Sequence, residues 1–112
     1  MQDEEARRIV GTALGLGYRL IDTAAKYENE LGVGQGIADA GLARTDVFVT
    51  SKLRGRDHGF ASTKVALAQS LERLGLDHLD LYLIHWPSTG RCREWTTTWS
   101  PGGRWRSCWP KG

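Results

Sequence analysis

Helical and extended patterns alternate along the first 86 residues, and this alternation restricts the fold more than any other feature. Apolar residues at helical spacing, and short runs of β-branched, aromatic and leucine residues, predict helices over 3–17, 29–41 and 61–75 and strands over 18–22, 46–53 and 79–86. Strands separated by helices pair in parallel, because each helix returns the chain by a right-handed crossover. The sequence therefore predicts an α/β fold, either an open doubly wound sheet or a (β/α)8 barrel.

The helices are expected to bury one apolar stripe each. In the first helix Ile9, Ala13 and Leu16 share a face. The stripe of the third helix comprises Val65, Leu67, Ala68, Leu71 and Leu74. The second helix is weakened by its glycines. Its GVGQG segment is a near-match to a phosphate-binding loop, but it lies inside a helix rather than at a strand-to-helix turn, so we reject that function.

Composition indicates a soluble globular chain, with 40% hydrophobic and 25% charged residues. No apolar run approaches the roughly 20 residues that a membrane-spanning helix needs. The N-terminal MQDEEARR has no signal-peptide shape. We therefore expect a cytoplasmic protein without a membrane partner. Cys92 and Cys108 form no CxxC pair, and neither a metal site nor a disulfide is supported.

Polar residues follow each predicted strand, where parallel α/β folds concentrate their chemistry. Asp22 ends the first strand, Lys52 the second and His85 the third, and Tyr27 lies in the loop after Asp22. A lone Asp in this position is usually a cap, a lone Lys is solvated, and a lone Tyr or His is a packing residue. Four such residues at matching strand ends favour a site over those separate roles.

These four side chains have a specific chemistry in common. A tyrosine is a weak acid, with an ordinary pKa of about 10. A nearby ammonium group favours the phenolate, and a carboxylate would keep that ammonium charged and oriented. A histidine can donate a hydrogen bond to a carbonyl oxygen or relay a proton. Such a site would protonate a developing alkoxide while a cofactor delivers hydride.

Two long motifs carry a resemblance to the aldo-keto reductase family. GYRLIDTAAKYENELGVG (Gly17–Gly34) resembles the first signature of the family, and SLERLGLDHLDLYLIHWP (Ser70–Pro87) resembles the second. Between them, VTSKL (49–53) resembles the strand that bears the lysine of the family. The resemblance covers roughly residues 5–88. Leu20 and His78 depart from common family residues, but neither is one of the four functional positions.

The resemblance implies a (β/α)8 TIM barrel that reduces small-molecule carbonyls with NADPH. Tyr27 would be the proton donor, Lys52 and Asp22 the pair that tunes it, and His85 the residue that orients the carbonyl. Trp86 would line the substrate pocket, and Asp22, Tyr27 and His85 would also contact the cofactor. The resemblance further implies that an intact protein of this kind is a monomer, while the sequence leaves the oligomeric state of this chain open.

A barrel of this kind takes about 250 residues, whereas this chain shows three strands of the eight. We therefore expect residues 1–88 to form a partial barrel that is inactive, or nearly so, when made alone. A non-enzymatic cofactor-binding or scaffolding subunit of the same fold is the alternative, since it would keep the same four residues.

Residues 89–112 have a different composition from the rest of the chain. The net charge is −2 through Gly90 and +4 beyond it, and four of the five tryptophans lie in this tail. If the codons of Gly102–Gly112 are read one base earlier, one of the allowed translations is WRALAELLAEG, which has the leucine stripe of a helix. We therefore interpret the tail as the product of a frame slip and expect it to be disordered. The alternative is a nucleic-acid-binding role for its arginines and tryptophans, but no nucleic-acid fold accompanies them, so no nucleic-acid partner is expected.

Overall fold

A computed structural model describes residues 1–86; the predicted boundary after residue 88 and the Trp-rich tail lie outside the described residues. Helices and strands alternate in the predicted order: α1 (Asp3–Gly15), β1 (Leu20–Asp22), α2 (Glu30–Asp39), β2 (Phe48–Leu53), α3 (Phe60–Leu74) and β3 (Leu81–Ile84). Short 3-10 helices precede α2, β2 and α3 at Ala25–Tyr27, Arg44–Asp46 and Gly55–Asp57. Among the helices so described, none combines the length and apolar character needed to cross a membrane.

The three strands form one parallel sheet in the order β1-β2-β3. Asp22 pairs with Thr50, and Lys52 pairs with Leu83. This register brings the carboxyl ends of all three strands to one edge of the sheet. The predicted α/β class is therefore confirmed, as a partial barrel of three parallel strands with their helices.

The two faces of the sheet differ in exposure. On the helix-covered face, Ile21, Val49 and Leu53 are buried in or beside the core. The opposite face carries apolar side chains that are exposed in the described chain: Leu20, Phe48, Leu81 and Leu83. Side chains alternate between the faces of a strand, so the second set shares its face with Asp22 and Lys52. In a closed barrel this is the interior face.

The buried faces of two helices differ from the predicted stripes. In α1 the buried residues are Ala6, Val10 and Leu14, whereas Ile9 and Leu16 are exposed. In α3 the buried residues are Ala66, Ser70 and Leu74, and Val65 is exposed. The small residues Ala6, Ala66 and Ser70 lie on these faces beside Leu14 and Leu74. Of the predicted stripes, Leu74 is buried as expected, whereas Ile9, Leu16 and Val65 are exposed.

Glycines of α2 allow a close approach of the neighbouring helices. A Cβ on Gly32 would lie 2.0 Å from the Asp3 carbonyl oxygen of α1, and one on Gly34 would lie 2.0 Å from the Leu74 carbonyl oxygen of α3. Gly36 lies against Arg7 and Val10 of α1 in the same way. The GVGQG segment thus consists of packing residues within a helix, between its two neighbours.

A buried polar network fixes the helix-facing side of β2. The Glu30 side chain is 1% exposed, and its carboxylate accepts a 2.6 Å hydrogen bond from Ser51 Oγ. The guanidinium of Arg73 donates to the other carboxylate oxygen over 2.7 and 2.9 Å, and to Ser70 Oγ over 3.2 Å. A charge buried this deeply requires such partners. The network holds Ser51 against α2 and α3, and so fixes the backbone of β2 from which the next residue, Lys52, projects to the other face.

Candidate active site

Asp22 and Lys52 form the base of the site at the ends of β1 and β2. Lys52 Nζ donates to Asp22 Oδ2 over 2.5 Å, and Thr50 Oγ1 donates to Asp22 Oδ1 over 2.5 Å. Burial raises the pKa of Asp22, but the hydrogen bonds from Lys52 and Thr50 together outweigh it, so this pKa lies below its ordinary value. Asp22 is therefore ionised at neutral pH and holds the Lys52 ammonium in place.

Tyr27 is the last residue of the 3-10 helix that follows β1. Its N–H donates to the Ala24 carbonyl over 3.0 Å. Lys52 Nζ lies 5.4 Å from the centroid of the Tyr27 ring and donates to the Thr23 carbonyl over 3.1 Å. The phenol ring is half-exposed. Lys52 thus contacts both its carboxylate partner and the segment that carries the tyrosine.

His85 and Trp86 follow β3 directly. The His85 N–H donates to the Leu53 carbonyl over 3.1 Å, which extends the pairing with β2 by one residue. The His85 ring meets the Tyr27 ring edge to face, with centroids 5.6 Å apart and an interplanar angle of 82°. Trp86 stacks on His85 at 5.9 Å and is exposed. His85 Nδ1 is buried without a hydrogen-bond partner among the described residues.

The electrostatic surroundings of His85 favour its neutral form. Partial burial lowers the pKa of His85, and the positive charges of Lys52 and Lys26 lower it further, against the opposing effect of Asp22. At pH 7 the ring is therefore a neutral imidazole. Such a ring has one N–H to donate and one lone pair to accept, so it can hydrogen-bond a carbonyl oxygen.

Acid is expected to destabilise the fold partly through His85. Because its pKa in the folded state lies below the ordinary 6.5, the unfolded chain binds this proton more readily. The free energy of unfolding should therefore fall as the pH falls below about 6.5. His85→Gln should flatten this dependence in urea-unfolding midpoints measured across that range. The contribution of Asp22 disappears only at lower pH, below its ordinary 3.8.

The control for that titration is His78→Gln. His78 lies before β3, at the opposite end of the sheet, and pairs with the exposed Asp77. Its removal should leave the His85 contribution in place. If His85→Gln keeps the pH dependence of the wild-type chain, the assignment of this proton to His85 is wrong.

The structure brings Asp22, Tyr27, Lys52 and His85 together at one edge of the sheet, with Trp86 beside them. Two further side chains were missed: Thr50, which binds Asp22, and Arg54, which donates to the carbonyl of Ala25. Both could have been found from the strand period, because residues 50, 52 and 54 share one face.

The arrangement suits proton donation next to a fixed positive charge. A phenol, an ammonium and a neutral imidazole lie within contact of one another, and the carboxylate anchors the ammonium. Residues 1–86 contain no group of three His, Cys, Asp or Glu side chains placed to hold a metal ion.

Comparison with known proteins identifies relatives of one kind. The model of the Aldo/keto reductase family matches residues 1–91. An aldo-keto reductase of Mycolicibacterium smegmatis is 52% identical over 99 residues, which are 88% of this chain and 35% of that protein. The chain thus spans about a third of the length of the curated relatives it matches.

Solved structures give the same result. The aldo/keto reductase from Brucella melitensis superposes with a TM-score of 0.76 at 52% identity, over 78% of this chain and 33% of that one. The Bombyx mori aldo-keto reductase, solved in complex with NADP, superposes with a TM-score of 0.75 at 47% identity, over 78% of this chain and 30% of that one. With its fold, its family match and its relatives in agreement, the chain belongs to the aldo/keto reductase family.

Proposed function

We propose that this site reduces an aldehyde or ketone to an alcohol with NADPH. The observation that carries the proposal is the joint placement of Tyr27, His85 and the Asp22–Lys52 ion pair at one edge of a parallel sheet. Family membership supports an oxidoreductase, and a small-molecule carbonyl is the corresponding substrate class.

Each residue has a separate role in this reaction. The Tyr27 hydroxyl donates its proton to the carbonyl oxygen as negative charge develops there. The Lys52 ammonium stabilises the phenolate that remains, and Asp22 holds the ammonium in position. Neutral His85 donates a hydrogen bond to the carbonyl oxygen and so sets its direction towards Tyr27. Trp86 supplies an exposed aromatic wall for the rest of the substrate.

The described residues fit the reactive end of a nicotinamide cofactor. His85 Nδ1 is a buried polar atom without a hydrogen-bond partner among residues 1–86, and the interior face of the sheet, on which Leu83 lies, is exposed. Asp22, Tyr27 and His85 would border the nicotinamide. NADPH supplies the hydride when it is bound. The choice of NADPH over NADH is based on the family and on the NADP complex of the Bombyx mori protein.

We further propose a cytoplasmic protein that acts as a monomer when its barrel is closed. The 112-residue chain by itself should be inactive or nearly so. The apolar interior face of its sheet is exposed, and the outer edges of β1 and β3 are unpaired within the described residues. Because the Tyr27 ring is half-exposed, solvent would screen the charges on which the proposed proton transfer depends.

A graft tests the function directly. Residues 1–91 would replace the matching segment of the Mycolicibacterium smegmatis relative, which supplies the remaining strands. We expect the purified graft to consume NADPH with an aldehyde substrate, and the 112-residue chain alone to show little or no turnover. A folded graft that binds NADPH but reduces none of a broad panel of aldehydes and ketones would instead favour the cofactor-binding, non-enzymatic alternative.

A further inference from the structure

We propose that Arg54 is a positioning residue that holds Tyr27 in place by clamping the 3-10 helix on which it lies. This inference rests on the proposed role of Tyr27 as proton donor. The Arg54 guanidinium reaches from the end of β2 to this helix, where Nη2 donates to the carbonyl oxygen of Ala25. The same nitrogen lies 3.4 Å from Glu28 Oε1. Arg54 therefore contacts residues on both sides of Tyr27.

Lys52 and Arg54 act on the Tyr27 segment as a pair. Two residues apart on an extended chain, they project to the same side. Lys52 Nζ donates to the Thr23 carbonyl over 3.1 Å, and Arg54 donates to the carbonyl two residues later, that of Ala25. The spacing of the two donors on β2 thus matches the spacing of the two acceptors on the neighbouring segment. Lys52 secures the start of the segment, and Arg54 secures the turn itself.

The 3-10 helix needs external support to keep a single conformation. It contains three residues, and its internal hydrogen bonds are the 3.0 Å bond from Tyr27 N–H to Ala24 and a 3.4 Å bond from Glu28 N–H to Ala25. Short 3-10 segments have poor hydrogen-bond geometry. Glu28 then adopts a left-handed conformation with φ 57°, which is unfavourable for a residue with a side chain. Contacts from outside the segment must therefore hold it.

The carbonyl of Ala25 is the partner that matters most. The Arg54 side chain is 21% exposed, whereas that of Glu28 is 76% exposed. Water competes for the Glu28 carboxylate, so that ion pair contributes little. Ala25 is 6% exposed, so its carbonyl is the better-shielded of the two acceptors that the guanidinium contacts. A charge-assisted hydrogen bond in this setting fixes both of its ends.

The consequence for the reaction concerns geometry and not affinity. If the clamp is lost, Tyr27 can move relative to Lys52 and to the carbonyl oxygen. A displacement of about 1 Å can cost about 10²-fold in rate. In the grafted barrel, Arg54→Leu should therefore lower kcat by about 10²-fold and leave the KM for NADPH nearly unchanged.

The closing experiment reads the position of Tyr27 without any turnover. The full chain would be made with fluorotyrosine, and the fluorine NMR signals of Tyr18, Tyr27 and Tyr82 would be recorded and assigned with Tyr27→Phe. We expect Arg54→Leu to shift the Tyr27 signal towards that of free fluorotyrosine, while the Tyr18 and Tyr82 signals stay in place. Arg54→Lys keeps a donor and a charge, so it should restore the Tyr27 signal in large part.

The matched control is Arg56→Leu. Arg56 lies on the same loop, but its side chain is exposed and its ion pair with Asp57 is long, at 3.9 Å. It should leave all three signals unchanged. The proposal would be overturned if the Tyr27 signal of the wild-type chain already had the chemical shift of free fluorotyrosine. It would also be overturned if Arg54→Leu left the Tyr27 signal unchanged. An equal shift of all three signals would overturn it as well, because that indicates a general loss of folding.

These outcomes are independent of the proposed function. A Tyr27 signal that responds as expected, in a graft that reduces no carbonyl, would support the clamp and reject the catalytic role. An active graft in which Arg54→Leu leaves the Tyr27 signal unchanged would support the proposed function and reject the clamp.

Discussion

Tyr27→Phe in the grafted barrel should lower the kcat for carbonyl reduction by about 10²- to 10⁴-fold, the usual contribution of a general acid. The substitution removes one hydroxyl and keeps the ring that meets His85 at 5.6 Å and faces Lys52 at 5.4 Å. The packing and the charges of the site are therefore retained. Because the lost interaction is made only in the transition state, kcat and kcat/KM should fall together. Steady-state kinetics with NADPH in excess measure both.

Tyr18→Phe is the control for this loss. Tyr18 lies just before β1, at the end of the sheet away from the site, and its ring is exposed. It should keep full activity. If Tyr27→Phe also keeps full activity in a folded graft, the proton comes from another group, and His85 would be the first to test.

The order of the elements and the placement of the candidate residues at one sheet edge could be predicted from the sequence because both depend on local patterns. β2 begins within the β-branched and aromatic run VFVT (47–50), and β3 is the apolar run LYLI. Gly75 marks the end of α3 and adopts the left-handed conformation expected there. Asp22, Lys52 and His85 lie at or just beyond strand ends, so the parallel topology brings them to one edge. The resemblance to the family gave the same four residues independently.

The helix faces could not be predicted, because they depend on partners distant in the sequence. Ile9 and Leu16 satisfy a helical stripe, yet α1 turns Ala6 and Val10 inwards, where the glycines of α2 leave room for a close backbone. The strand period could have placed Arg54 on the face of Lys52, but the partner that Arg54 binds could not be predicted, for the same reason. Its acceptor is a backbone carbonyl 29 residues earlier, and no side-chain pattern in the sequence marks a carbonyl.

The glycines of α2 illustrate how propensity and packing can disagree. Considered alone, Gly34 costs helix stability because of its backbone freedom. In the structure, the absence of a Cβ lets α3 lie against α2 at the Leu74 carbonyl. That contact also places Arg73 beside Glu30, whose carboxylate in turn holds Ser51 next to Lys52. Close helix packing therefore supports the position of the lysine in the site.

Gly34→Ala should accordingly destabilise the chain by about 3 kcal/mol, at the upper end for overpacking. The added Cβ would lie 2.0 Å from the Leu74 carbonyl oxygen and 2.5 Å from its carbon, so one of two helix backbones must move. In a small domain with an exposed sheet face, a loss of this size is comparable with the whole stability. We expect the helical circular dichroism of the chain to fall sharply at 25 °C, or its urea midpoint to approach zero.

Gly11→Ala provides a control of opposite sign. Gly11 lies in the middle of α1, and an added Cβ would meet nothing within 4 Å. The same chemical change should therefore stabilise the chain by about 0.5–1 kcal/mol, the propensity difference between alanine and glycine. Equal effects of the two substitutions would mean that α2 and α3 do not touch as described. The hydrogen-bonded contacts of Arg73 and Glu30 could then not be said to support the position of Lys52.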